Sequence, residues 1–269
     1  LLTTGDVDRA NALADEIEAA NTERRRMQER VVAAALVRLE RTFDPGKDSL
    51  VVEAGEPAEG WHRGVLGIAA AKVAQEVSRP VLLLAREDGR VGGSGRTWGR
   101  TPLHERIEPV ARRHGAEFGG HRAAIGLSVP EARYEAFRED ARAAFADARD
   151  ESEWSVVLEA DAEVSLNEVT SELVAALERL EPHGQGNPRP LFLLRALEWD
   201  GRARPVGERG LRLAFEGDGA RLDAVGWSLA RIPSAERRGR WDVFANLAHD
   251  AWIGRPVLTV LDAVRRDAA

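Results

Sequence analysis

The 269-residue chain contains no cysteine, which excludes disulfides and every thiolate metal site. Lys47 and Lys72 are its only lysines, so nearly all positive charge is arginine. A GC-rich genome is the plain explanation of that bias, although arginine also suits paired contacts to phosphate oxygens. No apolar run approaches the length needed to span a bilayer. No basic, then apolar, then small-residue leader opens the chain, so a cytoplasmic protein is expected. The opening "LLTTGD" lacks an initiator methionine, which suggests a piece of a longer protein.

Against these absences stand 43% hydrophobic and 31% charged residues. That is the profile of a folded chain with a real core, long enough for one large domain or two ordinary ones. The formal net charge of −7 argues against a simple nucleic-acid binder, but it is unevenly spread. Residues 1–42 carry −1, residues 43–149 carry 0, residues 150–181 carry −9 and residues 182–269 carry +3. The shift marks a domain junction near 150.

Leu13, Ile17, Ala20, Met27, Val31, Ala34 and Leu39 recur at helical spacing, predicting one long helix that needs a partner surface. "DSLVVEAGE", "GVLGIAAAKVAQEV" and "RPVLLLAR" read as strand, buried helix and strand, a β–α–β unit. "GRVGGSGRTWG" reads as a glycine-rich loop or strand edge, and "PLHERIEPVARRHG" as a helix stopped at Gly115. "LSVPEARYEAFREDARAAFADAR" is a strand then an amphipathic helix. Beyond 150, "SEWSVVLEADAEV" alternates like a strand and "LNEVTSELVAALERLEP" is helical. Short strand-like pieces then follow between Gly, Pro and Asp, the pattern of a small barrel.

Three stretches could carry chemistry. In "GGSGRT", glycines allow a backbone nest for an anion, Ser94 adds a hydroxyl and Arg96 a planar fork; taken alone, a glycine-rich turn with a solvated arginine is the favoured reading, because such runs are common. In "GGH", Gly119 and Gly120 leave room beside His121, whose imidazole could donate to phosphate; a turn with a locally satisfied histidine is the plainer reading. In "WHRGVLGIAAAKV", His62 precedes a helix start that favours anions; Trp61 as core and His62 as cap fit as well.

Together and in this order, "WHRGVLGIAAAKVAQEVSRPVLLLA", "GSGRT" and "GGHRAAIG" resemble the DHH-associated domain of the RecJ family of single-strand-specific exonucleases. The opening helix resembles that family's connector, "LEPHGQGNPRPLF" the start of its OB-fold domain, and "FANLAHDAWIGRPVLTVLDAVR" its final hairpin. The resemblance implies an α/β plus all-β chain: a connecting helix over 1–42, an α/β DHH-associated domain over 43–149, and an OB-fold barrel over 150–269. It implies that His121 acts at the scissile phosphate. It also implies that Ser94, Gly95, Arg96, Thr97, Gly119, Gly120 and His62 hold substrate. Phe118, Ile125 and Thr97 depart from the usual pattern, where a glycine, a small residue and a serine are commoner.

The parent enzyme implied is a 5′ to 3′ exonuclease on single-stranded DNA in repair and recombination, using Mn2+ or Mg2+ held by a DHH domain. The six histidines here are scattered with no carboxylate cluster, so no metal site is expected in this chain and it alone should be inactive. Cooperation with a helicase or single-strand-binding protein is implied by the family and by no motif. In the barrel, Arg195, Arg202, Arg204 and Arg212 are the candidate backbone contacts. Trp199, Phe215, Trp227, Trp241, Phe244 and Trp252 are mostly core, with one or two exposed. Two rival readings are a phosphodiesterase for oligoribonucleotides or cyclic dinucleotides, and a non-catalytic single-strand-binding module.

Overall fold

The computed structural model describes residues 1–147, 154, 157–207, 210–250 and 254–266. The chain divides into two compact units, Leu1–Val157 and Leu158–Ala269.

The first unit opens with α1, Val7–Thr42, whose N-cap Asp6 accepts from the Arg9 N–H. Its apolar stripe is buried only in the second half, through Val31, Ala35 and Leu39, whereas Ile17 is 55% exposed. Only that second half meets α2, Arg63–Val77. Strands β1, Val51–Gly55, and β2, Val81–Glu87, flank α2 in sequence and pair in parallel with Val51 opposite Val81, as the β–α–β pattern predicts. After β3, Arg90–Arg96, come α3, Leu103–Arg113, then β4, Glu117–His121, β5, Ala124–Pro130, and α4, Tyr134–Ala143. The sheet order is β1-β2-β3-β5-β4.

Both faces of this sheet are covered at its β2 side, which explains the unbroken apolar run in β2. Val81, Leu83 and Ala85 join α1 and α2 in one core. Leu82 and Leu84 join Leu103, Ile107 and Phe137 of α3 and α4 in the other. Tyr134, the only tyrosine, is buried in that second core, and desolvation pushes its phenol up to about 12. A raised acid pKa stabilises the fold in full below the ordinary value near 10 and loses that contribution as pH rises through 12. Absorbance titration of tyrosinate should therefore show a midpoint near 12 in the native chain and near 10 in denaturant; a native midpoint of 10 would place the ring in water.

The second unit contains β6, Ala162–Glu163, α5, Ser171–Glu178, β7, Phe192–Trp199, and β8, Arg204–Val206. It continues with β9, Gly210–Gly217, β10, Ala220–Gly226, β11, Gly239–His249, and β12, Pro256–Arg266. Five of these strands close a barrel in the order β7-β11-β12-β10-β9, sealed by a β7–β9 pairing at Glu198 and Glu216. Strands β10 and β12 run parallel and the other barrel pairs antiparallel. Its core holds Leu194, Leu197, Trp199, Phe215, Trp241 and Val243.

Two sequence expectations change here. Of the strand expected over "SEWSVVLEADAEV", only the two-residue β6 forms among the described residues, and residues 151–153 and 155–156 lie outside them. The helix expected over "LNEVTSELVAALERLEP" splits in two. Ser165 forms a capping box with Glu168 that starts a short turn, Leu166–Glu168, and Thr170 then caps α5 through the Leu173 N–H. Two capping side chains five residues apart define two helix starts.

Candidate functional site

"GRVGGSGR" is neither a loop nor an anion nest. It forms β3, an interior strand whose backbone pairs with β2 and β5 on its two sides. Its glycines serve packing: a Cβ on Gly93 would lie 2.2 Å from the Leu83 carbonyl oxygen, and one on Gly95 2.5 Å from Leu82 Cδ2. What the strand offers is its side chains at alternate positions, Ser94 and Arg96, on the face that α2 covers.

The register carries that face across the sheet. Arg96, Ala124 and His121 form one row, and Ser94, Gly126 and Gly119 form the next. Gly126 and Gly119 are both exposed. A Cβ at Gly119 would meet nothing within 4 Å, and one at Gly126 only the Gly93 carbonyl oxygen at 3.9 Å. Beside Ser94 the sheet therefore presents a bare backbone floor, with α2 packed on β2 and β3 as its wall. Arg96 and His121 stand two strands apart, roughly 10 Å. His121 closes β4 at a two-residue turn and is exposed. The turn is tethered by the Thr97 N–H, which donates to the Ala123 carbonyl at 3.0 Å.

The adjacent glycines thus differ in kind. Gly119 leaves space, whereas Gly120 has φ +143° and a Cβ there would lie 2.3 Å from the Ala124 carbonyl oxygen. The departures from the family pattern fall away from the floor. Ile125 is buried in the α3–α4 core, and Phe118 packs against the same core and tilts on the His104 ring at 4.9 Å. The Thr97 hydroxyl donates to the Thr101 carbonyl at 2.6 Å and so braces the loop after β3.

At the start of α2, Trp61 is fully buried and lies flat on Gly55, where a Cβ would sit 2.3 Å from the ring. His62 is the N-cap and its Nδ1 accepts from the Gly64 N–H at 3.1 Å. In the neutral ring this leaves the hydrogen on Nε2, a free donor. Sequence reasoning passed over Arg63, Gly67 and Gly126, although all three lie in the stretches it singled out. Gly67 gives α2 its close approach: a Cβ there would be 2.9 Å from Arg96 Nη2 and 3.4 Å from Ser94 Oγ.

The remaining histidines have other partners or none of this site's. His114 Nε2 meets Asp140 at 2.9 Å, and that contact, with Arg113, holds the Asp140 carboxyl below its ordinary range. His249 Nδ1 meets Glu178 at 2.9 Å. Among the described residues no three histidine or carboxylate side chains converge so as to hold a metal ion. An imidazole can ligate a metal, but here neither His62 nor His121 belongs to a cluster of three ligands and the Arg96 guanidinium opposes a cation, so the site does not fit a divalent ion.

On the barrel, Leu211, Leu213 and Phe215 of β9 point into the core, so Arg212, Ala214 and Glu216 line its outer face, opposite Val225, Asp223 and Arg221 of β10. Arg202, Arg204, Arg212 and Arg221 surround an open cleft of about 530 Å³ there, with Asp200 and Asp223. They are not equivalent. Arg212 is held by Asp250 at 2.6 Å and Asp223 at 3.1 Å, which raises its pKa further. Arg195 lies apart from the cleft and pairs with Glu163 at 2.8 Å and Asp242 at 3.4 Å. Arg202 is almost fully exposed, 3.9 Å from Asp200. Trp199, Phe215 and Trp241 are core, and Phe244 is half-buried. Trp227 is 56% exposed beside this face, its Nε1 3.3 Å from where a Gly210 Cβ would be. Trp252 lies outside the described residues.

An α/β domain with such a floor, followed in sequence by a five-stranded OB barrel, defines the class. Residues 47–147 match the DHHA1 domain and residues 160–261 the RecJ OB domain. The chain thus carries a DHHA1 domain followed in sequence by a RecJ OB domain. It is 31% identical over 240 residues to the single-stranded-DNA-specific exonuclease RecJ of Dickeya dadantii, covering 85% of this chain and 40% of that protein. To the Thermus thermophilus RecJ it is 32% identical over 257 residues, 94% of this chain and 34% of that one. The crystal structure of RecJ from Thermus thermophilus in complex with Mn2+ superposes with a TM-score of 0.75 at 27% identity, covering 98% of this chain and 38% of that one. The chain thus spans 40% or less of the length of these relatives. Among the described residues no helix is long and apolar enough to cross a membrane.

Proposed function

We propose that this chain is the substrate-holding portion of a 5′ to 3′ exonuclease that degrades single-stranded DNA in repair and recombination. The observation that carries the reading is the bare Gly119–Gly126 floor, bordered by Ser94, Arg96 and His121 and walled by α2. A nucleic-acid backbone can approach a sheet closely where side chains are missing, and it needs donors for its phosphates at the edges. Ser94 and Arg96 hold phosphate, His62 Nε2 adds a donor near the start of α2, and His121 donates where charge develops on the phosphoryl oxygens. The relatives solved with Mn2+ and Mg2+ support a divalent metal in the complete enzyme. The residues described here do not supply its ligands, so hydrolysis requires a part of the enzyme outside this chain, and the 269 residues alone should release no nucleotides.

The barrel face of β9 and β10 serves as a second hold. Arg202 and Arg204, which are less engaged by carboxylates than Arg195 and Arg212, contact phosphates, and Trp227 stacks a base. The chain should therefore bind oligothymidylate with little sequence preference. Affinity should fall by about 0.7 log units per tenfold salt for each phosphate neutralised. Trp227→Ala should cost roughly 1–3 kcal/mol of binding with the melting temperature unchanged. Fluorescence anisotropy across a salt series reads both; salt-independent binding, or none, would overturn the proposal.

A further inference from the structure

A second guanidinium reaches the floor, beside that of Arg96. Arg63, in the first turn of α2, folds down onto β3, so that a Cβ on Gly92 would be 2.7 Å from its Nη2. Gly92 shares the face of Ser94 and Arg96, two residues along the strand from Ser94. Arg63, Ser94 and Arg96 therefore stand in that order along the groove between α2 and β3. Adjacent positions on this face are roughly 6.6 Å apart along the strand.

The electrostatics around Arg63 are unbalanced. Of the carboxylates at that end of the face, Glu117 is taken by Arg90 at 3.4 Å, and Glu87 of β2 stands opposite Arg90 in the register. Arg90 also donates to Ser128 Oγ at 2.8 Å and to the Ser128 carbonyl at 2.7 Å. Arg63 forms no hydrogen bond or ion pair among the described residues. A cation in a first helical turn also opposes the helix dipole. Two unfavourable circumstances thus meet on one guanidinium that lies over a glycine beside two donors already facing the floor.

We infer that Arg63 is a substrate-positioning residue that grips the phosphate next to the one held by Ser94 and Arg96. The inference rests on the substrate-holding reading above and extends it from a single phosphate site to a two-phosphate track. The ligand is an oligonucleotide backbone, and the contact acts in ground and transition states alike, so it governs affinity and not turnover.

The test is a titration of the full isotope-labelled chain with a short oligothymidylate, following the Gly119 and Gly126 amides by NMR at several salt concentrations. Arg63→Gln should raise Kd about five- to tenfold at roughly 50 mM salt and flatten the slope of log K against log salt by about 0.7, one phosphate contact. Arg63→Glu should bind more weakly still while its thermal stability holds or rises, because an acid suits a helix start. A residue with a purely structural role would move both readouts the same way. Arg133→Gln, in the turn Glu131–Arg133 away from the floor, should behave as the parent chain. If Arg96→Gln weakens binding but both Arg63 variants match the parent, the inference is overturned and the substrate-holding reading stands. If the Gly119 and Gly126 amides do not respond to oligonucleotide in the parent chain, both fall.

Discussion

Replacing His121 by alanine in a complete enzyme carrying this chain should cut turnover a hundredfold to a thousandfold while the melting temperature barely moves. The two halves of the expectation have separate causes. His121 is exposed at the end of an edge strand, so its removal opens no cavity and strands no partner. A donor aimed at a phosphoryl group as charge develops is worth about 2.7–4 kcal/mol, which is the expected loss in rate. Arg96→Ala should behave differently. Its guanidinium grips phosphate before and during reaction, so KM should rise more than kcat falls. Steady-state kinetics on a single-stranded substrate, with a melt of each variant, separates the two. A His121→Ala enzyme that cuts at the parent rate would reduce "GGH" to a turn.

The second large effect lies in the paired glycines. Gly120→Ala should destabilise the first unit by roughly 2–4 kcal/mol, since it combines a left-handed φ with a backbone clash at 2.3 Å. For a unit of this size that lowers the melting temperature by roughly 5–15 °C. Gly119→Ala should leave stability unchanged or raise it slightly, because its Cβ meets nothing within 4 Å. The same methyl stands on the proposed floor, so Gly119→Ala should weaken oligonucleotide binding without disturbing the fold. Paired thermal melts and binding isotherms settle it. Equal melting temperatures for the two variants would mean that the strand end can relax, and the distinction would fail.

The sequence displayed the fold wherever burial imposed a period. The apolar run of β2 and the alternation in β9, with Leu211, Leu213 and Phe215 inside, were legible because water is excluded from one face or both. The α1 stripe was legible as a helix but not in its burial. Ile17 and Val31 look alike along the chain, and only the position of α2 separates them. The glycine-rich β3 was misread as loop or edge because glycine is a weak strand former, and the reason for it lies in neighbours distant in sequence, Leu82 and Leu83. The candidate site was legible as residue types in three stretches. That Ser94, Gly126 and Gly119 share a row is a consequence of strand order, which skips from β3 to β5, and no local pattern announces that crossing. Arg63 went unremarked for the same reason: its significance comes from what it overhangs.

The missing side chains along the Gly119–Gly126 row bear on motion as well as fit. An enzyme that shortens a strand from one end must let the remainder advance after every cut. A surface built of side chains catches a polymer, because each step needs rotamers to leave one nucleotide and reseat on the next. A surface of peptide backbone has no rotamers to reset, and the grip is left to donors at its margins that can exchange one phosphate for the following one. On the proposed reading, this patch of sheet is a low-friction bearing along which the substrate slides.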